Sequence, residues 1–163
     1  MTNTYLELDS PIGRLLIVAN SVGIEAIHFE SEGGANRISP LWNRGGSLVE
    51  KAAGQLSEYF AGEREEFDLP LAPQGTEFMH SVWNQLSQIP YGQTTNYGAI
   101  AMSLGKPTAA RAIGSANGKN PIPIVVPCHR VIGADGSLTG FAGGIETKRQ
   151  LLELEGLELA CNH

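Results

Sequence analysis

The spacing of apolar residues changes along this chain, and that change limits its fold more than any other feature of the sequence. Residues 5–8, 15–19 and 24–29 read as three short runs of alternating apolar and polar side chains, with turn residues at 11–13 and 21–23 between them. A period of two marks strands, and the intervening Pro, Gly and Ser fold them into a small antiparallel sheet. From Ser47 the period lengthens: Leu48, Ala52, Leu56 and the Tyr59/Phe60 pair recur at helical spacing, with Gly62 just past the end. Residues 31–46, rich in Gly, Ser and Asn, read as a loop, and residues 67–74, with Pro70 and Pro73, as a linker. Beyond the linker the helical period dominates. The expected fold is α+β: a small N-terminal antiparallel-sheet and helix subdomain over residues 1–74, packed on a mainly helical C-terminal domain over residues 75–163.

The later part is punctuated as a helix-turn-helix. Thr76 can cap a helix carrying Val82, Leu86 and Ile89 on one face and ended by Pro90 and Gly92. A second helix starts near Thr95 and Asn96 and runs through Tyr97, Ile100, Ala101 and Leu104. Gly105 and Lys106 make a tight turn, Pro107 opens a third helix over residues 108–117, and Gly118 suits its C-terminal cap. Helix, Gly-containing turn, helix is the pattern of a DNA-reading hairpin, and many helical hairpins share it. Between Thr108 and Ala116 the long side chains are Arg111 and Ile113, set among Ala, Gly, Ser and Thr. Such small residues let two helices pack closely. They also let a backbone approach a groove while one Arg reaches beyond it.

The formal net charge of -6 argues against nucleic acid, but it averages unlike parts. Residues 1–74 hold five basic and eleven acidic side chains, and residues 75–163 hold six of each. No Asp or Glu falls from Phe78 to Ala134, a window containing Lys106, Arg111, Lys119 and Arg130. That window reads as a surface kept clear for a polyanion, against the plainer alternative of a mostly buried region. With 42% hydrophobic residues the chain has material for a core. No apolar run is long enough to span a membrane, and the first residues lack a basic and apolar leader. Two cysteines, Cys128 and Cys161, cannot build a disulfide framework, so a reducing cytoplasm is the expected location.

The segment NPIPIVVPCHRV, from Asn120 to Val131, holds three prolines and a β-branched run. It reads as extended and stiff, not helical. It delivers Cys128 with His129 and Arg130 immediately after it. A lone cysteine is commonly an inert core residue; an imidazole and a guanidinium alongside favour thiolate over thiol. Neighbouring side chains of a strand point apart, so Cys128 needs a turn or a bridging water to reach His129. A Cys–His pair serves acyl transfer, which requires an oxyanion hole and a hydrolytic water. It serves equally for alkyl transfer, in which a thiolate displaces a leaving group from an sp³ carbon. The residues leave both open, and a sequence-specific regulator that makes no use of the cysteine as well.

Pro127-Cys128-His129-Arg130-Val131, preceded by Asn120-Pro121-Ile122-Pro123 and followed by Gly140-Phe141-Ala142-Gly143-Gly144, resembles the O6-alkylguanine-DNA alkyltransferase family, the methylated-DNA–protein-cysteine methyltransferases. The run 109–114, Tyr91-Gly92-Gln93, Tyr97, and Leu151-Leu152 with Glu155-Gly156 match the same family in order and spacing. The match is dense over residues 76–157 and weaker over the N-terminal sheet. The resemblance implies DNA repair. A damaged guanine in double-stranded DNA rotates out of the helix, and its O6-alkyl group passes irreversibly to Cys128, with O4-alkylthymine a further candidate substrate. The protein would act once, as a monomer, without cofactor or metal.

By the same resemblance Cys128 is the nucleophile and His129 a base acting through a water and held by Glu155. Asn120 holds the turn that brings the cysteine beside the recognition helix, and Tyr97 donates a proton toward N3 of the departing guanine. Arg111 fills the vacated stack, with Ala110, Ala112, Gly114, Lys106 and Tyr97 along the DNA. Val131, Phe141, Ala142 and Gly143 line the base. Phe141 stands where relatives often have Tyr, Ala142 where some have Ser, and Met79 and His80 where polar residues are usual. With no cysteine before residue 128, the zinc site of some relatives is not expected. His28, His80, His163 and Cys161 read as bystanders. The alternative is a non-catalytic alkylated-DNA binding protein, a kind of relative that lacks the cysteine.

Overall fold

Pro11 and Ile12 turn strand β1 (Thr4–Ser10) back into β2 (Gly13–Ala19), with Ser10 opposite Gly13 and Thr4 opposite Ala19. The computed structural model describes residues 2–138 and 140–157, apart from the side chain of Ala35. Its chain divides into two compact units, Met1–Gln74 and Gly75–His163. In the first, β3 (Ile24–Phe29) pairs antiparallel with β2, and a short β4 (Asn43–Arg44) pairs parallel with β1. The described strands form one sheet in the order β3-β2-β1-β4. Helix α1 (Ser47–Phe60) packs on β1, β2 and β3 and buries Val49, Ala52, Leu56 and Tyr59.

Three expectations for this unit change. Residues 15–19 do not alternate: Leu15, Leu16, Ile17, Val18 and Ala19 are all buried. The cause is a second cover. Residues 31–46 are more than a loop, since they form 3₁₀ turns at Glu30–Glu32 and Gly34–Arg37 and then β4. They bring Ile38 and Trp42 over Leu16, Val18 and Ala26, so the central strand is enclosed on both faces. The predicted linker is likewise part of the unit. Ile24 donates its N–H to the Pro70 carbonyl and accepts from Ala72, and Gln55 brackets the backbone of Asp68 with both ends of its amide. Gly23 permits this approach, because a Cβ there would lie 2.5 Å from the Pro70 oxygen.

The second unit holds the remaining described α-helices: α2 (Glu77–Leu86), α3 (Tyr97–Ser103), α4 (Ala110–Gly118) and α5 (Ile145–Leu154). Thr76 and Asn96 cap α2 and α3, each side-chain oxygen accepting from a backbone N–H three residues on. Helices α3 and α4 make the helix-turn-helix, with Gly105 at φ +69 in the turn. Pro107 and Thr108 belong to that turn and not to the helix, which starts at Ala110 without a side-chain cap. Gly118 is the last helical residue and Lys119 the cap, so the left-handed glycine cap is not used. Val82, Trp83 and Leu86 of α2 meet Ile113 and Ala116 of α4 in the core, where the Trp83 indole N–H donates to the Ala116 carbonyl at 2.9 Å. Among the described residues no helix is long and apolar enough to cross a membrane.

Candidate active site

The proline segment ends in a tight turn, and that turn gathers the chemistry. Asn120 spans it: its side-chain amide donates to the Val126 carbonyl at 2.8 Å, and its oxygen accepts from the Ile122 N–H at 3.0 Å. Between them Ile124 sits at φ +75, a conformation that a β-branched residue adopts at a cost of about 1–3 kcal/mol. Its side chain is buried, as are those of Ile122 and Val126, so apolar packing offsets the strain.

Cys128–Arg130 then form one 3₁₀ turn, where an extended strand was expected. In a three-residue repeat successive side chains fan out by about a third of a circle instead of alternating across a strand. Cys128, His129 and Arg130 are all buried, the cysteine keeping 5% of its surface exposed and the histidine none.

Beneath them lies Glu155, the residue that caps α5, with its side chain fully enclosed. His129 Nε2 lies 2.7 Å from Glu155 Oε2. Arg130 grips the same carboxylate with two prongs, Nε to Oε1 at 2.8 Å and Nη2 to Oε2 at 2.9 Å. A further donor is the Gly92 N–H, 3.2 Å from Oε1. Gly92 takes φ +76, and a Cβ there would lie 3.2 Å from the Glu155 carbonyl. The buried cluster therefore has its own counter-charges. Burial pushes the His129 pKa down. Glu155 opposes that effect by hydrogen bond and charge, and the Arg130 and Lys148 charges reinforce it.

Lys148 is absent from the sequence-derived site. It is fully buried, and its ammonium donates to the Val131 carbonyl at 2.6 Å. Burial lowers its pKa to about 8, and the Cys128 charge works in the opposite direction. The cation is thus electrostatically coupled to the thiol. A signal was present: Lys148, Leu151, Leu152 and Glu155 recur at i, i+3, i+4 and i+7, one stripe of a helix. By sequence Arg130 is one of four cations in the acid-free window expected to lie on a surface. The structure leaves Lys106, Arg111 and Lys119 exposed and puts Arg130 inside.

The backbone of this turn is tied to the start of α3. Thr95 donates to the Arg130 carbonyl and accepts from the Ile132 N–H, both at 2.9 Å. Two residues on, Tyr97 opens α3, and its ring lies 3.9 Å from where a Cβ on Gly114 would stand. Ala110, Arg111 and Ala112 are exposed on the first turn of α4, and Lys106 in the preceding turn lies over the Phe78 ring at 5.4 Å. Val131 is fully buried, its N–H 3.3 Å from the Cys128 carbonyl. Phe141, Ala142 and Gly143 occupy a turn ahead of α5, closed by the Gly144 N–H on the Phe141 carbonyl at 2.9 Å. His28 is half-buried and His80 packs edge-on against Trp83. Cys161 and His163 lie outside the described residues.

Comparison with known proteins covers both units. Residues 77–157 match the family model of the 6-O-methylguanine DNA methyltransferase DNA binding domain, and residues 3–73 that of the ribonuclease-like domain of the same proteins. The methylated-DNA–protein-cysteine methyltransferase of Methanosarcina acetivorans is 48% identical over 152 residues, 93% of this chain and 97% of that protein. Its counterpart in Mycobacterium tuberculosis is 50% identical over 152 residues, 93% and 91% of the two chains. The crystal structure of Mycobacterium tuberculosis OGT in complex with DNA superposes with a TM-score of 0.84 at 47% identity, covering 93% of this chain and 92% of the other. With both units matched in sequence and fold, this chain belongs to the 6-O-methylguanine DNA methyltransferase family.

Proposed function

We propose that this protein repairs alkylated DNA by moving the alkyl group of an O6-alkylguanine onto its own Cys128, once per chain. The observation that carries the reading is the burial together of Cys128, His129 and Glu155: a cysteine followed in one 3₁₀ turn by a histidine whose Nε2 is held by a carboxylate. In the reaction the thiol proton leaves toward His129, directly or through one water. The sulfur electron pair then attacks the alkyl carbon in line. The carbon–O6 bond breaks, its electrons go to the guanine, and a proton from Tyr97 toward N3 neutralises the charge that develops. The His129 imidazolium then gives up its proton to solvent and Tyr97 regains one, so in net terms the thiol's proton passes to the guanine and the sulfur stays alkylated. Histidine serves because burial holds it neutral beforehand, while Glu155 stabilises the imidazolium formed during the step.

Duplex DNA would be met by α3 and α4. Arg111 stands exposed among alanines at the start of α4, suited to fill the space a rotated base leaves. Lys106 and Lys119 add charge within a stretch of chain, residues 78–134, that holds no carboxylate. Few contacts of this kind imply modest, salt-sensitive affinity. Because one chain supplies the whole cluster, a monomer suffices. A reduced compartment such as the cytoplasm keeps the sulfur able to react.

The test is a single-turnover incubation with a duplex containing O6-methylguanine, followed by mass analysis of the digested protein. One methyl mass per chain on the peptide bearing Cys128 is expected, with none in Cys128→Ser. Unmodified Cys128 overturns the reading, and tight binding of that duplex without modification would leave a non-catalytic binder instead.

A further inference from the structure

Glu155 is a carboxylate that receives three N–H donors and a short contact from His129 Nε2 on its two oxygens. Arg130 Nε and the Gly92 N–H occupy Oε1, while Arg130 Nη2 and His129 Nε2 occupy Oε2. A carboxylate offers about four acceptor sites and no donor. A carboxylate gripped by a bidentate guanidinium and a main-chain N–H is stabilised as the anion, so the proton belongs on the imidazole and not on Glu155. It follows that the short contact with His129 is an N–H of the imidazole donating to the anion, with Nε2 carrying the hydrogen.

Arg130 is what makes this arrangement exclusive. Its third nitrogen, Nη1, donates to the Ile89 carbonyl at 2.7 Å, and its guanidinium lies 5.7 Å from the centre of the Tyr91 ring. Tyr91 is fastened in turn by its hydroxyl on the Leu154 carbonyl at 3.4 Å. The turn of residues 89–92, between α2 and α3, thus serves as a clamp. One carbonyl, one ring and one amide hold the guanidinium and the carboxylate in a single orientation.

We propose that Arg130 is the positioning residue of the alkyl transfer, fixing Glu155 as an anion and His129 as the Nε2–H tautomer, so that Nδ1 is left as the basic nitrogen. His129 Nδ1 is buried and makes no hydrogen bond to the described residues, as expected of the nitrogen kept for the thiol proton. Facing His129 are Glu155 and Lys148 from α5, and Cys128 and Arg130 from its own turn. The packed helix α2 buries Val82, Trp83 and Leu86 and no ionisable group. Among these charges Arg130 acts in two senses. It orients the anion that would stabilise an imidazolium, and its own charge resists that imidazolium forming before substrate arrives. A neutral ground state and a stabilised charged state are both needed of a base.

The kinetic part of this inference rests on the proposed alkyl transfer; the tautomer does not. Nitrogen-15 NMR of labelled histidine should show His129 in the wild-type protein as neutral imidazole at neutral pH with hydrogen on Nε2. A hydrogen on Nδ1, or an imidazolium, overturns the inference without any variant. Next come Arg130→Lys and Arg130→Gln, each followed by NMR titration and by the rate of Cys128 methylation against pH. Lysine keeps the charge, so His129 should titrate near its wild-type midpoint, and the rate should fall by a similar factor at every pH. Glutamine removes the charge, so the midpoint should rise. The acidic limb of the rate should follow it, about tenfold more activity being lost on the acid side than on the alkaline side for each unit of rise. Equal losses at all pH values in both variants, with an unmoved His129, would mean a merely structural arginine. Should the glutamine variant fail to fold, the wild-type tautomer still tests the inference, and Arg130→Met supplies the charge-free titration in its place. Wild-type protein that never methylates Cys128 would defeat the repair reading and leave the tautomer result standing.

Discussion

The two units handle charge in opposite ways. In residues 1–74 the ion pairs lie at the surface: Arg14 with Glu7 and Asp9, Arg64 with Glu58, Lys51 with Asp68. Its described core is apolar apart from Gln55, which serves only to bracket backbone. In residues 75–157 the core holds Asn117, His129, Arg130, Lys148 and Glu155. Charges in a core are costly to desolvate, and their pairing only roughly repays that cost. A unit that needed stability alone would have had no reason to keep them there. The contrast therefore locates the chemistry before any motif is consulted.

Glu155→Ala should expose the difference most sharply. It strands a guanidinium and an imidazole inside the second unit, for a loss of about 3–5 kcal/mol. Methylation of Cys128 should be abolished as well. Arg14→Ala, which breaks the most connected ion pair of the first unit, should leave the unfolding midpoint where it was, since Arg14 is solvent-exposed. Denaturant melts of both variants with one transfer assay check this. Comparable destabilisation by the two would erase the contrast.

Asn120→Ala is a milder probe of the same unit. It removes two side-chain bonds to the backbone of the turn, leaving the Ile122 N–H and the Val126 carbonyl to find other partners. A cost of about 1–3 kcal/mol is expected. Transfer should slow on the order of tenfold to a hundredfold through misplacement of Cys128. A rate that survives while stability falls would mean that the hinge holds the fold and not the sulfur.

How much of this the sequence revealed depended on where each partner lay. Thr76 and Asn96 are legible as caps because a cap is a local bond, three residues long. The α+β division is legible because the period of the apolar residues changes. The double burial of residues 15–19 is not, since it depends on Ile38 and Trp42 folding back from a stretch with no period of its own. At the site, the run from Cys128 to Arg130 and Glu155 stood out through motif resemblance. The sense of the charges did not. Arg130 lies in a window free of acids, and its counter-ion is 25 residues away, so it read as a surface cation. Lys148 binds a main-chain carbonyl, and a partner of that kind leaves no trace in the identity of any residue.

Lys148 supplies the smallest and most specific effect. Its ammonium is buried with its pKa lowered from 10.5 to about 8, because the enclosed site disfavours the charged form. The unfolded chain then binds the proton more tightly than the folded one. Between those two values the unfolded state carries more protons, so stability contributed by this group rises with pH across that window. Raising the pH from about 7 to about 9 should gain about 1 kcal/mol from Lys148 alone. Lys148→Met should lack that increment. The loss of a donor to Val131 costs the variant the same at every pH, so the comparison of slopes isolates the titration. Urea melts of both proteins across that range are the measurement. Parallel slopes would mean that Lys148 stays fully charged in the fold, and the second unit would then bury a permanent cation beside Cys128.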